Sequence, residues 1–297
     1  MPGNGAPAAL DRHPRDVLQD HGIHPRKALG QNFLVAAAHL DRIVQAAGIS
    51  PEDVVLEIGT GLGTLTARIA ARAARVVSVE IDGRLLRIAA DRLAGAANVS
   101  LLCCDFLAGK HRIDPTVTDA MRHALGARGR QAAVVSNLPY SISSPAIVNL
   151  LEWEVPVAWM CLTVQKEVAD RLAARPGQSE YGPLTAFVSY WATVERLFNL
   201  PRRGFWPVPE VSSTVVRIVR KPERRLTGSY ATFAAVVRKL FESRRKTLGH
   251  ILRAGWGVEL ASGTMAAMNL DARTRVEDLS AAALEALAAA LGPPRSG

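Results

Sequence analysis

The spacing of apolar residues outlines this chain before any single side chain does. Asp53 to Ile58, Arg75 to Glu80, Val99 to Cys104 and Ala132 to Ser136 are short apolar runs, each closed by Gly or by a polar residue. Such runs read as strands buried on both faces. Between them the period changes. Val35, Leu40, Ile43, Val44 and Ala47 recur at helical spacing up to Gly48, and the same pattern predicts helices over Leu65–Ala74 and Arg84–Leu93. Strands alternating with helices predict a parallel sheet in an α/β domain, of the doubly wound, Rossmann-like kind.

Further along, Trp159–Val164 reads as a strand and Gln165–Ala174 as a helix, while Leu184–Phe198, rich in β-branched and aromatic residues, is expected to complete the sheet. From about Pro222 the period is helical: Tyr230–Phe241, Arg244–Ala254, Leu260–Met268 and Ala281–Leu291. The pattern therefore divides the chain into a mobile tail over 1–20, rich in Pro, Gly and Ala, an α/β domain over 21–221 and a smaller helical domain over 222–297. Gly109 to Arg130, with Lys110, His111, Arg112, Arg122, Arg128 and Arg130, reads as an inserted surface loop with a short helix.

Composition narrows the class. The 297 residues carry 36 Lys plus Arg against 27 Asp plus Glu, a net charge of +9. That excess points to an anionic partner, with nucleic acid the leading candidate. Three cysteines, two of them adjacent at Cys103 and Cys104, form neither a disulfide framework nor a Cys-x-x-Cys pair. His21 and His24 read as surface residues, so no metal is expected. No apolar stretch is long enough to span a bilayer and the N-terminus lacks the features of a signal peptide, which together suggest a cytoplasmic protein. A monomer is the default expectation.

The candidate chemistry gathers at strand ends, where ligands of open α/β sheets bind. Gly59, Gly61 and Gly63 follow the first strand, where glycine permits positive φ and close approach of a ligand. Glu80 closes the second strand about twenty residues on, where a carboxylate accepts from ribose hydroxyls. A nicotinamide dehydrogenase would share those two features. Asp105 after the third strand favours S-adenosyl-L-methionine, as an acceptor for the adenine amino group.

After the fourth strand comes Asn137-Leu138-Pro139-Tyr140. The Asn137 side-chain oxygen and the Leu138 carbonyl suit the two hydrogens of an exocyclic aromatic amine, which would localise a lone pair otherwise spread into the ring. Pro139 has a fixed φ and no N–H. Tyr140 is placed to stack on a flat base. Phe205, in Gly204-Phe205-Trp206-Pro207-Val208-Pro209, is a second aromatic candidate for the other face of a flipped-out base. Methyl transfer to an adenine nitrogen is the chemistry this set suggests, with positioning and electrostatics as its source of rate.

These residues carry a resemblance. From about Lys27 to Leu252 the chain resembles the ribosomal RNA adenine N6-dimethyltransferases. The matching segments include Gly30-Gln31-Asn32-Phe33-Leu34, Glu57 to Gly63, Val79 to Asp82, Cys104-Asp105-Phe106, Asn137 to Pro145, Gln165 to Ala169, Phe205 to Ser213 and Leu240 to Leu248. The resemblance implies that Asn32 and Leu34 touch the cofactor, with Gly59, Glu80, Asp105 and Asn137 completing its site, and that each target adenine is methylated twice. It also implies one of two branches: one modifies two adjacent adenines near the 3′ end of small-subunit rRNA during ribosome biogenesis, and the other modifies a large-subunit adenine and confers antibiotic resistance. Leu240 to Leu248 and Phe205 to Ser213 look like the small-subunit branch. Thr60, where that branch usually has Pro, Ser141, where it has Asn, and the Gly109–Arg130 segment depart from it.

Independently of the family, Arg196 to Arg253 holds fourteen basic and three acidic side chains. Arg238, Lys239, Arg244, Arg245 and Lys246 recur at spacings that suggest a basic face for RNA phosphate. A non-catalytic RNA-binding factor on the same scaffold is the rival from another class, and the intact Gly59, Glu80, Asp105 and Asn137 argue against it. Enzymes methylating glutamine or small amines are a further alternative, often with Asn-Pro-Pro-Tyr, from which Leu138 departs.

Overall fold

In the computed structural model, which describes residues 8–109, 112–126, 131–222 and 229–294, the predicted strands form one seven-stranded sheet. In chain order the strands are β1 (Phe33–Leu34), β2 (Val54–Ile58), β3 (Arg75–Glu80), β4 (Val99–Cys103), β5 (Leu107–Gly109), β6 (Arg112–Ile113), β7 (Ala132–Asn137), β8 (Val157–Gln165), β9 (Ala192–Leu200), β10 (Phe205–Trp206) and β11 (Ser213–Arg220). The large sheet has the order β4-β3-β2-β7-β8-β11-β9, and β1 pairs with β10 while β5 pairs with β6. Strands β4, β3, β2, β7 and β8 run parallel, and β11 is antiparallel to β8.

The chain enters at β2, winds outward to β3 and β4, then crosses back to β7 and β8. The order thus reverses between β2 and β7, and a ligand site is expected at the carboxyl ends of these two strands. Every residue of β2 is buried, as a strand covered on both faces requires.

Helices α1 (Pro14–Asp20), α2 (Ala37–Ala47), α3 (Thr64–Ala70), α4 (Gly83–Arg92), α5 (Pro115–Leu125) and α6 (Ser143–Glu152) surround the sheet. Leu40, Ile43 and Val44 of α2 and Leu65 and Ile69 of α3 pack on Val55, Val76, Ala133, Val135, Trp159 and Cys161. Then follow α7 (Lys166–Leu172), α8 (Pro183–Trp191), α9 (Tyr230–Glu242), α10 (Leu248–Trp256), α11 (Val258–Ala267) and α12 (Ala281–Leu291). The structure falls into two compact units, one of residues 1–169 and 194–220 and one of residues 170–193 and 221–297. The second is helical, with Tyr190, Phe233, Val237, Leu240, Leu252, Trp256 and Leu284 in its core.

Several expectations are corrected. Residues 8–20, read as part of a mobile tail, are ordered: Leu10, Val17 and Leu18 are buried, the last two packing with Leu62, Leu85 and Ile88. Arg68, itself buried, pairs with Asp11 at 2.5 Å and Asp41 at 2.8 Å, and Arg92 donates to the carbonyls of Leu10 and Leu62. The composition of the segment hid three apolar anchors. Residues 1–7 lie outside the described set.

The supposed insertion is the crossover from β4 to β7. Asp114 caps α5 through the Thr116 N–H at 2.8 Å, Pro115 begins the helix, and Val117, Thr118 and Met121 are buried, the helix packing on β2, β3 and β4. Lys110, His111, Arg128 and Arg130 fall outside the described residues. Leu184–Phe198 is not one strand: Pro183 opens α8, the Gly182 N–H donates to Thr185 Oγ1 at 3.2 Å, and the strand begins only at Ala192. Aromatic and β-branched residues here pack a helix face, so composition misled. The helix expected from Arg244 begins at Leu248, and Ser213–Arg220, to which no strand was assigned, is β11. The helical unit also takes in residues 170–193, ahead of the boundary read near Lys221.

Candidate active site

The loop after β2 and the loop after β7 meet at the strand-order reversal. Gly59, Gly61 and Gly63 have φ of 90°, 56° and 75°, so the turn into α3 is made in backbone conformations that L side chains rarely adopt. A Cβ on Gly59 would stand 3.3 Å from Pro139 Cγ, and one on Gly61 would stand 3.3 Å from the Phe33 ring. The glycines therefore let the turn lie directly against the Asn137–Tyr140 loop and against Phe33.

A cavity opens at this junction. Among the residues lining it are Asn32, Leu34, Gly59, Glu80, Asp105, Asn137 and Pro139. Of the expected cofactor residues only Gly61 does not line it. Gly61 acts one step back: its N–H donates to Glu80 Oε2 at 2.9 Å, while the Asp82 N–H donates to Oε1 at 2.9 Å. Burial raises the Glu80 carboxyl above its ordinary range, and those two N–H groups oppose the rise. Asp82 in turn accepts from Gln31 Nε2 at 3.2 Å and pairs with Arg84, which holds its carboxyl well below the usual range. Asp105 Oδ1 accepts from the Leu107 N–H at 3.0 Å.

Asn137 closes the cavity. Its Nδ2 donates to the Asn32 carbonyl at 3.1 Å, which fixes the amide and turns Oδ1 the other way. That oxygen is buried and has no hydrogen-bond donor. A buried acceptor without a donor is costly, and on a residue that lines the cavity it is a candidate partner for a donor from outside. The lining fits a nucleoside-bearing cofactor, with acidic acceptors at Glu80 and Asp105 and a glycine cradle at Gly59, and Asn137 Oδ1 is left as an acceptor beside it.

The remaining expected residues sit elsewhere. Leu138 has its side chain buried and its N–H on the Thr163 carbonyl at 3.2 Å. Tyr140 is half-buried, with its hydroxyl on Ser213. Phe205, expected to stack on a base, does not present its ring: it is 1 % exposed and packs with Leu34 and Leu40, because β10 pairs with β1 and Phe205 stands opposite Leu34.

Among the lining residues to which the sequence assigns no role of their own are Pro14, Ile81 and Glu57. Pro14 comes from the segment read as a tail. Ile81 is 48 % exposed beside Glu80. Glu57 stands at the head of the glycine motif, and a lone acid inside an apolar strand is a signal of its own. Its Oε2 accepts from Thr66 and Ser78 at 2.5 and 2.6 Å, its Oε1 has no donor, and burial pushes its carboxyl up to about 8 against those two hydroxyl bonds.

In the helical unit, Arg238 and Lys239 lie on α9, whereas Arg244, Arg245 and Lys246 lie in the turn before α10. Arg244 is committed to Glu277 at 2.8 Å and the Ser179 carbonyl at 2.8 Å, Lys239 to Glu242 at 3.1 Å and Lys246 to His250 at 3.0 Å. Arg238 lies 5.6 Å from the Phe187 ring centre, and Arg245 is exposed. Among the described residues no cluster of three or more His, Cys, Asp or Glu is placed to hold a metal, and no helix is long and apolar enough to cross a membrane.

Residues 23–290 match the family model for ribosomal RNA adenine dimethylase. The ribosomal RNA small subunit methyltransferase A of Pelotomaculum thermopropionicum is 41 % identical over 90 % of this chain and 91 % of its own length. Among solved structures, a dimethyladenosine transferase from Plasmodium falciparum superposes with a TM-score of 0.72 at 25 % identity, over 85 % of this chain and 94 % of that one. The 23S rRNA methyltransferase ErmE superposes with a TM-score of 0.64 at 26 % identity, over 87 % of this chain and 99 % of that one.

Proposed function

The chain belongs to the ribosomal RNA adenine dimethylase family, and from that premise we propose that it methylates N6 of two adjacent adenines near the 3′ end of small-subunit rRNA, twice each. The observation that carries the reading is the buried, undonated Asn137 Oδ1 at the edge of a cavity whose other walls are Glu80, Asp105 and the Gly59 turn. When bound, S-adenosyl-L-methionine supplies an electrophilic methyl group, which N6 takes as the carbon–sulfur bond breaks.

The chain's own residues do the rest. Glu80 accepts from the ribose hydroxyls and Asp105 from the adenine amino group of the cofactor. Asn137 Oδ1 and the Leu138 carbonyl accept the two hydrogens of the target amine in the first transfer, and one of them accepts the single hydrogen that remains in the second. Holding the hydrogens there draws the nitrogen towards pyramidal geometry and aims its lone pair. Pro139 keeps the loop rigid. The proton that N6 sheds passes to water, so no side-chain base is required. Arg238 and Arg245 supply exposed positive charge for the phosphate backbone.

The large-subunit reading is weaker, because curated relatives at 37 to 41 % identity are named small subunit methyltransferase A, and the 23S enzyme superposes with a TM-score of 0.64 against 0.72 for the dimethyladenosine transferase. Incubation with unmethylated small and large ribosomal subunits, followed by mass-spectrometric mapping, tests the choice. N6,N6-dimethyladenosine in the small subunit is expected, and the same base in the large subunit alone would overturn it.

A further inference from the structure

A planar base bound at Asn137 needs a flat partner, and two rings were candidates. Of these Phe205 is buried in the core; Phe33 and Phe106 line the cofactor cavity, and Tyr140, half-buried and three residues beyond Asn137, is the ring carried by the Asn137 loop itself. The Tyr140 hydroxyl is not directed into solvent. It shares a 2.7 Å hydrogen bond with the Oγ of Ser213, a wholly buried residue at the first position of β11.

The strand register explains the reach. Asn137 at the end of β7 stands opposite Thr163 of β8, and Gln165 at the end of β8 stands opposite Ser213 of β11. The Tyr140 side chain therefore spans from the end of β7 across the end of β8 to β11. Tethering the far end of the phenol fixes the direction in which the side chain points from the backbone and the position of its ring. Burial raises the Tyr140 phenol, so it stays protonated and the bond persists through the neutral range.

We propose that Ser213 is a positioning residue of the reaction: its Oγ holds the Tyr140 ring at the place beside the Asn137 acceptor where the target adenine stacks on it. The inference deepens the proposed adenine N6-methylation and rests on it. A ring fixed before the base arrives loses less freedom on binding and keeps the amine on the line of attack.

The test uses the full chain with unmethylated small ribosomal subunits. Ser213→Ala removes the anchor, and Tyr140→Phe removes the same hydrogen bond from the other side while keeping the ring. Each is expected to lower kcat by about three- to tenfold, with KM for the subunits and cofactor affinity close to those of the unsubstituted protein and a modest fall in melting temperature from the hydroxyl left without its partner. The double variant should fall no further than either single one, since both delete one interaction. Losses that multiply, unchanged kcat in both, or a kcat loss matched by an equal loss of cofactor affinity would overturn the proposal. Should Ser213→Ala fail to fold, the kcat of Tyr140→Phe decides alone. An unsubstituted protein that binds cofactor but methylates neither subunit would remove the underlying reading and this inference with it.

Discussion

Gly59 and Pro139 touch across the gap between β2 and β7: a Cβ placed on Gly59 would lie 3.3 Å from Pro139 Cγ, at a residue whose φ is 90°. The glycine turn and the Asn137–Tyr140 loop, some eighty residues apart in sequence, are thus packed as one wall. Gly59→Ala meets both the strain of positive φ, about 1–2 kcal/mol, and the proline ring. It is expected to lower the melting temperature and weaken S-adenosyl-L-methionine binding together, measured by thermal denaturation and calorimetry. Cofactor affinity equal to that of the parent would show that the two loops are not one wall.

Glu57 gives a pH prediction. Its carboxyl sits at about 8 in the folded chain against an ordinary 4.5, mainly through burial. Between those values the unfolded chain is deprotonated at this site while the folded chain holds the proton. Stability attributable to Glu57 therefore falls as pH rises across that window, by up to about 1.4 kcal/mol per pH unit. Glu57→Gln retains an oxygen for Thr66 and Ser78 and cannot ionise. Denaturation midpoints of the variant should be flatter with pH and higher than the parent's near pH 8. Parallel curves would place the carboxyl at an ordinary value.

Residues 8–22 are a structural part of the first unit. Leu18 is 1 % exposed within the cluster of Leu62, Leu85 and Ile88. Leu18→Ala should cost about 2–5 kcal/mol, measured by denaturant unfolding. A cost near zero would restore the mobile tail.

Arg245 is exposed while Arg244 is committed to Glu277. Arg245→Glu should leave the fold intact and reduce the salt slope of rRNA binding by about one to two. Arg244→Glu, facing Glu277, should instead lower thermal stability. The reverse assignment of the two effects would move the phosphate contact to Arg244.

Much of this was legible in the chain because local pattern records local constraints. Apolar runs closed by Gly59, Glu80, Asp105 and Asn137 identify strand ends, and strand ends are where the cavity forms. The fate of a single aromatic is set by distant pairing: Phe205 is buried because β10 adds to β1, more than 170 residues earlier, and nothing beside Phe205 encodes that. Residues 184–198 switch from helix to strand between Trp191 and Ala192 with no Gly or Pro to mark the change. The crossover helix α5 resembled an insertion because exposed basic residues flank its buried Val117 and Met121.

The account turns on the free acceptor at Asn137, and single-turnover methyl transfer by Asn137→Ala tests it most directly, with the parent and the variant each saturated with S-adenosyl-L-methionine on unmethylated small subunits. The predicted result is a rate lowered by about a hundredfold or more, with a much smaller loss of cofactor affinity, because Glu80 and Asp105 still line the cavity. A variant that transfers methyl at near the parental rate would contradict the role given to Asn137 and, with it, the mechanism.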